Sequence, residues 1–463
     1  MRVLLIAYDN ESYNSLFPTN LGYIAAVLKR NSIDVDIYCQ DIHHWPDTHL
    51  TEYLDKNPYD VVGLGIIGGY YQFRKMKKIS LAINKSKNRP FYILGGHGPT
   101  PEPEYFLKIS SADCIIMGEG EDTIIELLSN VADDSPLDGV KGIAYSYNGQ
   151  IFVNERRSLI KDIDSIPFPD YNKFPIHQYR KFRPTNSKPT DFSLHMMSGR
   201  GCSFKCNFCY RMDKGLRIRS NESIIEEINL LKNEYGITYI IFSDELMMTS
   251  VARISSLCVD FIKEKIGVKW CCNGRLNYAE KDVLRLMKQA GCVFVNYGIE
   301  AFDDEILKNM NKVLTTGVIK KGIKATLDAG ISPGYNIIWG NIGENLDTLK
   351  KSADFLLKND DCRQLRTIRP VTPYPGSPLY YYAIKEGLLD KQQPAKDFYE
   401  NKHINSDLLA VNFTSLSDHE FHKALYLENK RLIRNYHEKQ ISLWDEQCRE
   451  LYFNRDVSFR GFR

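Results

Sequence analysis

The sequence predicts an α/β protein made of a doubly wound parallel sheet, then a partial, open (β/α)6 barrel and a small helical C-terminal region. Two runs of short apolar strands alternating with amphipathic helices carry that prediction, one over 1–130 and one from 191 onward. Continuous apolar strands separated by helices are the pattern of parallel sheets covered on both faces. Between the runs, Ser165–Pro189 is rich in proline and polar residues and reads as a linker. The expected units are 1–145, a hairpin and linker over 146–190, 191–385, and 386–463. A length of 463 residues fits about three domains.

In the first run the strands are Arg2–Tyr8, Val35–Cys39, Tyr59–Ile67, Phe91–Gly95 and Asp113–Met117. Helical patterns at Leu21–Lys29, Asp47–Lys56, Tyr71–Lys85 and Glu121–Asn130 separate them. Gly139–Arg157 reads as a hairpin turning at Asn148-Gly149. The second run predicts strands at Phe192–Met197, Ile237–Phe242, Val268–Cys272, Cys292–Gly298, Gly334–Trp339 and Arg366–Thr372, each but the last followed by a helical stretch. In the C-terminal region, Ser417-x-x-Glu420 is a capping box, with Phe421, Leu425 and Leu432 on one helical stripe. A Phe/Arg-rich tail, 453–463, closes the chain.

Composition narrows the function. Lys plus Arg number 60 against 58 Asp plus Glu, a net charge of +2. That balance offers no electrostatic case for nucleic acid. No apolar run reaches the eighteen residues of a membrane span. The apolar start is too short for a signal peptide, and eleven cysteines then point to a reducing, cytoplasmic setting.

Glycines cluster where strands of the first run end: Gly63, Gly65 and Gly68, then Gly95-Gly96-His97-Gly98, then Gly118-Glu-Gly120. Parallel sheets bind ligands beyond the carboxyl ends of their strands. Gly63-x-Gly65-x-x-Gly68 matches the dinucleotide fingerprint as a string, but it follows the third strand and lacks the acidic partner about 20 residues on.

The chemistry concentrates in Ser198–Tyr210, which sets Cys202, Cys206 and Cys209 in a C-x3-C-x2-C spacing after the first strand of the second run. Thiolates are soft ligands that suit iron–sulfur clusters and zinc alike. Two sites fit: a 4Fe–4S cluster with one iron left open, or a zinc-stabilised binding module completed by a residue such as His195.

With Phe208 before the last cysteine, this motif opening a six-unit β/α array resembles the radical S-adenosylmethionine superfamily, in particular its cobalamin-binding group. The resemblance covers most of 1–385, as a cobalamin-binding-like Rossmann domain and a radical SAM barrel. It implies that the three cysteines hold a 4Fe–4S cluster whose fourth iron chelates S-adenosylmethionine. It places Asp244 and Glu245 at the methionine amine, Arg275 facing the active site, Glu300 at the ribose and Gly340 beside the adenine. Pro18–Gly22, Gly95, Gly96 and Gly118 resemble the cobalamin-type domain. The family's cobalt-binding D-x-H-x-x-G is absent after the first strand; Asp41-Ile-His43 only mimics its opening, after the second.

The implied reaction is reductive cleavage of S-adenosylmethionine to a 5′-deoxyadenosyl radical, followed by methylation of an unactivated carbon in a small molecule. Thiolate clusters reach the potentials of about −400 mV that this needs. A reductase or a flavodoxin- or ferredoxin-type donor would supply the electron. Ring closure or rearrangement by a related radical enzyme is the alternative.

Overall fold

The computed structural model describes residues 1–12, 14–212, 214–455 and 458. The expected tail 453–463 therefore lies largely outside the described residues. No helix among the described residues is long and apolar enough to cross a membrane.

The first sheet holds seven strands: β1 (Arg2–Ala7), β2 (Asp34–Cys39), β3 (Val61–Gly65), β4 (Phe91–Gly95), β5 (Cys114–Ile116), β6 (Ile143–Tyr147) and β7 (Gln150–Val153). Their order is β2-β1-β3-β4-β5-β6-β7, with β1 to β5 parallel. Strand order reverses between β1 and β3, which opens a crevice at their carboxyl ends. The hairpin turns at Asn148 and Gly149, both with positive φ, and β6 pairs antiparallel with β5. The first sheet thus runs on to Val153, past residue 145.

The second sheet holds β8 (Ser193–Met196), β11 (Tyr239–Phe242), β12 (Lys269–Gly274), β13 (Cys292–Glu300), β14 (Ser332–Trp339) and β15 (Arg369–Pro370), all parallel and adjacent in chain order. This is the expected open barrel, except that β15 is two residues long where 366–372 was expected. An extra ribbon pairs β9 (Gly199–Cys202) antiparallel with β10 (Gly215–Ile218).

The expected linker is largely packed structure. Its aromatic and aliphatic residues recur at short intervals, so helical turns at Tyr171–Lys173 and Ile176–Lys181 bury Tyr171, Phe174, Ile176 and Tyr179. Phe17 meets three of those rings at 5.1–5.8 Å. The following residues stop the barrel's amino-terminal mouth. Ser193 Oγ donates to Phe182 O (3.2 Å), Tyr239 OH to Thr185 O (2.9 Å), and Asn186 Nδ2 to Val293 O (3.0 Å).

The C-terminal region serves both sheets. Tyr380, Ala383, Phe398, Tyr399 and Val411 join the core on one face of the first sheet, where Tyr399 stacks on Phe73 at 4.8 Å. A 35-residue helix, Asp418–Tyr452, opens with the expected capping box of Ser417 and Glu420. Phe421, Leu425 and Leu432 are buried in the barrel's core. Phe421 stacks on Trp339 at 4.1 Å, and Gly340 leaves the room: a Cβ there would lie 2.7 Å from that ring.

Candidate functional site

The cysteine loop starts on a strand instead of a free coil. Gly201 and Gly215 adopt positive φ where β9 and β10 cross, and a Cβ on Gly201 would sit 2.3 Å from Gly215 O. Cys202 ends β9 opposite Gly215, Cys206 is buried, and Cys209 is exposed. Although the residue keeps an exposed edge, protein packed round its thiol, then the neighbouring Cys206, Glu245 and Cys202, push Cys209 up to about 12. Cys202 is raised for the same kinds of reason.

Asn207 anchors the loop. Its amide and that of Asn341, just beyond β14, bond reciprocally at 3.1 and 3.0 Å. Its backbone N–H donates to Met310 O (2.9 Å) and its carbonyl accepts from Leu379 N (2.8 Å). Asn341 is fully buried. Sequence reasoning missed both residues, although Asn207 lies inside the cysteine motif.

Arg275 is buried against the loop. Its guanidinium lies 3.5 Å over the Phe204 ring, Nη1 lies 3.9 Å from Cys206 Sγ, and Nη2 donates to Lys312 O. Asp244 and Glu245, expected together, divide. Asp244 is buried, and its carboxylate accepts from Ser198 N (2.9 and 3.1 Å) and Ser198 Oγ (3.1 Å), fastening the start of β9 to the end of β11. Burial outweighs those bonds and lifts its carboxyl to about 6. Glu245 is the exposed member, and its charge acts on Cys202 and Cys209.

Glu300 ends β13 at a register shift with φ +68, and its carboxylate accepts from Lys312 Nζ at 2.8 Å. Gly298 makes the room; a Cβ there would lie 2.4 Å from Glu300 Oε1. Lys312 also lies 5.6 Å from the Phe208 ring. A non-glycine residue held in that backbone region is strained, and such strain concentrates at functional sites. Gly340, at φ +100, donates its N–H to Glu344 Oε2 (2.6 Å), as does Asn341 (2.8 Å).

The barrel's inner face is polar near its open end. Asn336 Nδ2 donates to Asn296 Oδ1 (3.1 Å), Asn296 Nδ2 to Asn273 Oδ1 (3.0 Å), and Asn273 Nδ2 to Asp244 O (2.8 Å). His195 Nδ1 lies 2.7 Å from Ser243 Oγ, while its buried Nε2 has no partner. This amide ladder was legible only as isolated asparagines. No three His, Cys, Asp or Glu side chains gather round a single metal-ion position among the described residues.

Two loops of the first sheet close on the cysteine loop. Gly96, at φ +97, has no room for a Cβ, which would meet Ile66 O at 2.4 Å; Gly95 ends β4 beside it. His97 meets the ring of Tyr210, next to Cys209, edge to face at 6.1 Å. Gly118, at φ +87, donates its N–H to Thr100 Oγ (3.3 Å), whose hydroxyl donates to Gly96 O (2.7 Å). Glu119 accepts from Arg200 on β9 and Arg217 on β10, both at 2.8 Å, and Glu121 accepts from Arg200 at 2.6 Å. The D-x-H look-alike is absorbed locally: Asp41 accepts from Asn10 N (2.8 Å) and His43 stacks on Trp45 (4.3 Å).

Comparison with known proteins agrees with this layout. Residues 196–356 match the model of the radical SAM superfamily, and residues 7–128 that of the B12 binding domain. An uncharacterized methyltransferase of Pyrococcus horikoshii is 29% identical over 84% of each chain. The anaerobic magnesium-protoporphyrin IX monomethyl ester cyclase of Rubrivivax gelatinosus is 26% identical over 82% of this chain and 69% of its own. In fold, the chain resembles the methyltransferase TsrM of Kitasatospora setae, solved with cobalamin and a [4Fe-4S] cluster bound; the TM-score is 0.74 at 15% identity, covering 93% of this chain and 88% of that one.

Proposed function

This chain belongs to the radical S-adenosylmethionine superfamily, in the group with a B12 binding domain, and we propose that it is a cobalamin-dependent methyltransferase acting on an unactivated carbon of a small molecule. The observation that carries this reading is the cysteine loop wedged between the barrel and the glycine loops of the first sheet.

The donor set fits the groups. Three thiols in a C-x3-C-x2-C set suit a cluster with one iron left open better than a closed four-ligand zinc site, and His195 is engaged with Ser243. Gly96 and Gly118, both at positive φ, turn the chain after β4 and β5 at the sheet's carboxyl edge, where parallel sheets take a large cofactor. When bound, the 4Fe–4S cluster supplies the electron that cleaves S-adenosylmethionine, and cobalamin supplies a transferable methyl group.

In this reading Cys202, Cys206 and Cys209 hold the cluster. Arg275 fixes Phe204 and Cys206 and brings a cation beside the thiolate set. Glu245 is the carboxylate offered to the amine of S-adenosylmethionine, while Asp244 supports it from behind by holding Ser198. Phe208, with the Glu300–Lys312 pair beside it, and the backbone at Gly340 line the remainder of that site. The plug at 182–188 keeps water from the barrel's closed end. A flavodoxin- or ferredoxin-type donor would reduce the cluster.

Anaerobic reconstitution with iron, sulfide and cobalamin tests this. Expected are a brown chromophore, corrin absorbance, and 5′-deoxyadenosine on adding reductant and S-adenosylmethionine; iron-free protein would sink the reading. The likeness to the Rubrivivax cyclase favours ring closure as a second reading. A product that gains one methyl group separates methylation from a product that loses hydrogen.

A further inference from the structure

Glu119 lies on the loop after β5 and Glu121 opens the helix Glu121–Ala132 that follows, and Arg200 and Arg217 face them from the β9–β10 ribbon that ends at Cys202. All four side chains are between 7% and 16% exposed. Burial alone would raise the Glu119 carboxyl, but Arg217 and Arg200 outweigh it and hold it below the usual range. Glu119 Oε2 also accepts from Ile160 N (2.9 Å), and Arg217 Nη1 donates to Ile160 O (2.8 Å), so the connecting segment is tied into the same node. Arg200 lies 5.3 Å over the Tyr23 ring.

Such a node is costly to desolvate. Two carboxylates and two guanidiniums taken out of water gain little net stability over apolar packing, though they do fix register. What they fix here is the glycine loop at 118–120 against the strand carrying Cys202. We infer that Glu119, with Arg200 and Arg217, is a positioning group that sets the separation between the corrin site and the cluster. The inference rests on the cofactor assignment above. It concerns geometry between the two groups and leaves the binding of each to other residues.

Methyl transfer between two sites on different sheets demands that spacing, because a misplacement of about 1 Å costs about 100-fold in rate. A spectroscopic distance reads it without any substrate. In the reconstituted holoenzyme, cob(II)alamin and the reduced cluster are both paramagnetic, and pulsed EPR reports their dipolar separation. Glu119→Gln and Arg217→Met should retain full iron and cobalamin content but give a shifted or broadened distance distribution. Arg217→Lys should restore most of the wild-type distribution.

A wild-type distribution in Glu119→Gln and Arg217→Met, with both cofactors loaded, overturns the inference and leaves the cofactor reading standing. Selective loss of cobalamin or iron in these variants also overturns it, since the pair then serves loading. Wild-type protein that shows neither paramagnet overturns the cofactor reading and this inference together.

Discussion

Asn207 and Asn341 face each other amide to amide, each donating to the other's carbonyl oxygen at 3.1 and 3.0 Å, so the cysteine loop is bolted to the end of β14. Asn341 is fully buried and Asn207 partly so; Asn341 Oδ1 also accepts from Ile342 N (2.7 Å) and Asn207 Nδ2 also donates to Asn309 O (3.2 Å), so removing one partner strands Asn341 Nδ2 or Asn207 Oδ1. Asn207→Ala is expected to cost about 1–3 kcal/mol in urea unfolding. It should also lower iron content and slow 5′-deoxyadenosine formation. Asn341→Leu should reproduce both effects; wild-type iron content and rate in either variant would make the pair a bystander.

Cys206→Ala removes the buried thiol beside Arg275. Iron binding and S-adenosylmethionine cleavage should both disappear. Far-UV circular dichroism and corrin absorbance should stay, because Cys206 belongs to neither hydrophobic cluster that packs the first sheet. Persistent cleavage in this variant would falsify the cluster assignment.

Gly340→Ala meets two obstacles, a backbone at φ +100 and the Phe421 ring 2.7 Å from the new Cβ. Overpacking of this kind costs about 1–3 kcal/mol, added to the backbone strain. Phe421→Ala alone should cost about 3–5 kcal/mol through the lost stack on Trp339. In a double-mutant cycle the two changes should be less than additive, since removing the ring removes the clash. Strict additivity in urea midpoints would count against the contact.

Glu344 is buried, and burial lifts its carboxyl to about 8 despite the Gly340 and Asn341 N–H groups. The folded chain therefore keeps a proton that the unfolded chain releases near its ordinary value of about 4.3. This group's contribution is complete below that value and is lost as pH rises toward 8. Each pH unit in that window costs up to about 1.4 kcal/mol. Glu344→Gln should flatten the loss, and wild type and variant with parallel stability profiles from pH 5 to 8 would refute it.

The two parallel sheets were legible because their strands are continuous apolar runs and their helices keep an apolar face. The cysteine spacing was legible because it is local. The β9–β10 ribbon was not: its strands are four residues long and lean on Gly201 and Gly215, which read as loop. The Asn207–Asn341 pair and the Glu119 node join residues far apart in the chain, and no periodicity records such partners. Asp244 and Glu245 look alike in sequence; only the alternation at the end of β11 sends one inward to Ser198 and the other outward. The supposed linker misled because its prolines outweighed the spacing of Tyr171, Phe174 and Tyr179.

Residues 380–411 finish one face of the first sheet, so that sheet is assembled from both ends of the chain. During synthesis, Phe73 and Phe106 leave the ribosome long before Tyr399 arrives to cover them. The helices that cover the nascent N-terminal sheet must carry these bare rings while the entire barrel is translated. Exposed surface of that kind is where aggregation begins. Slow translation or early truncation should therefore harm this protein through its first sheet, even though the missing residues lie at the other end.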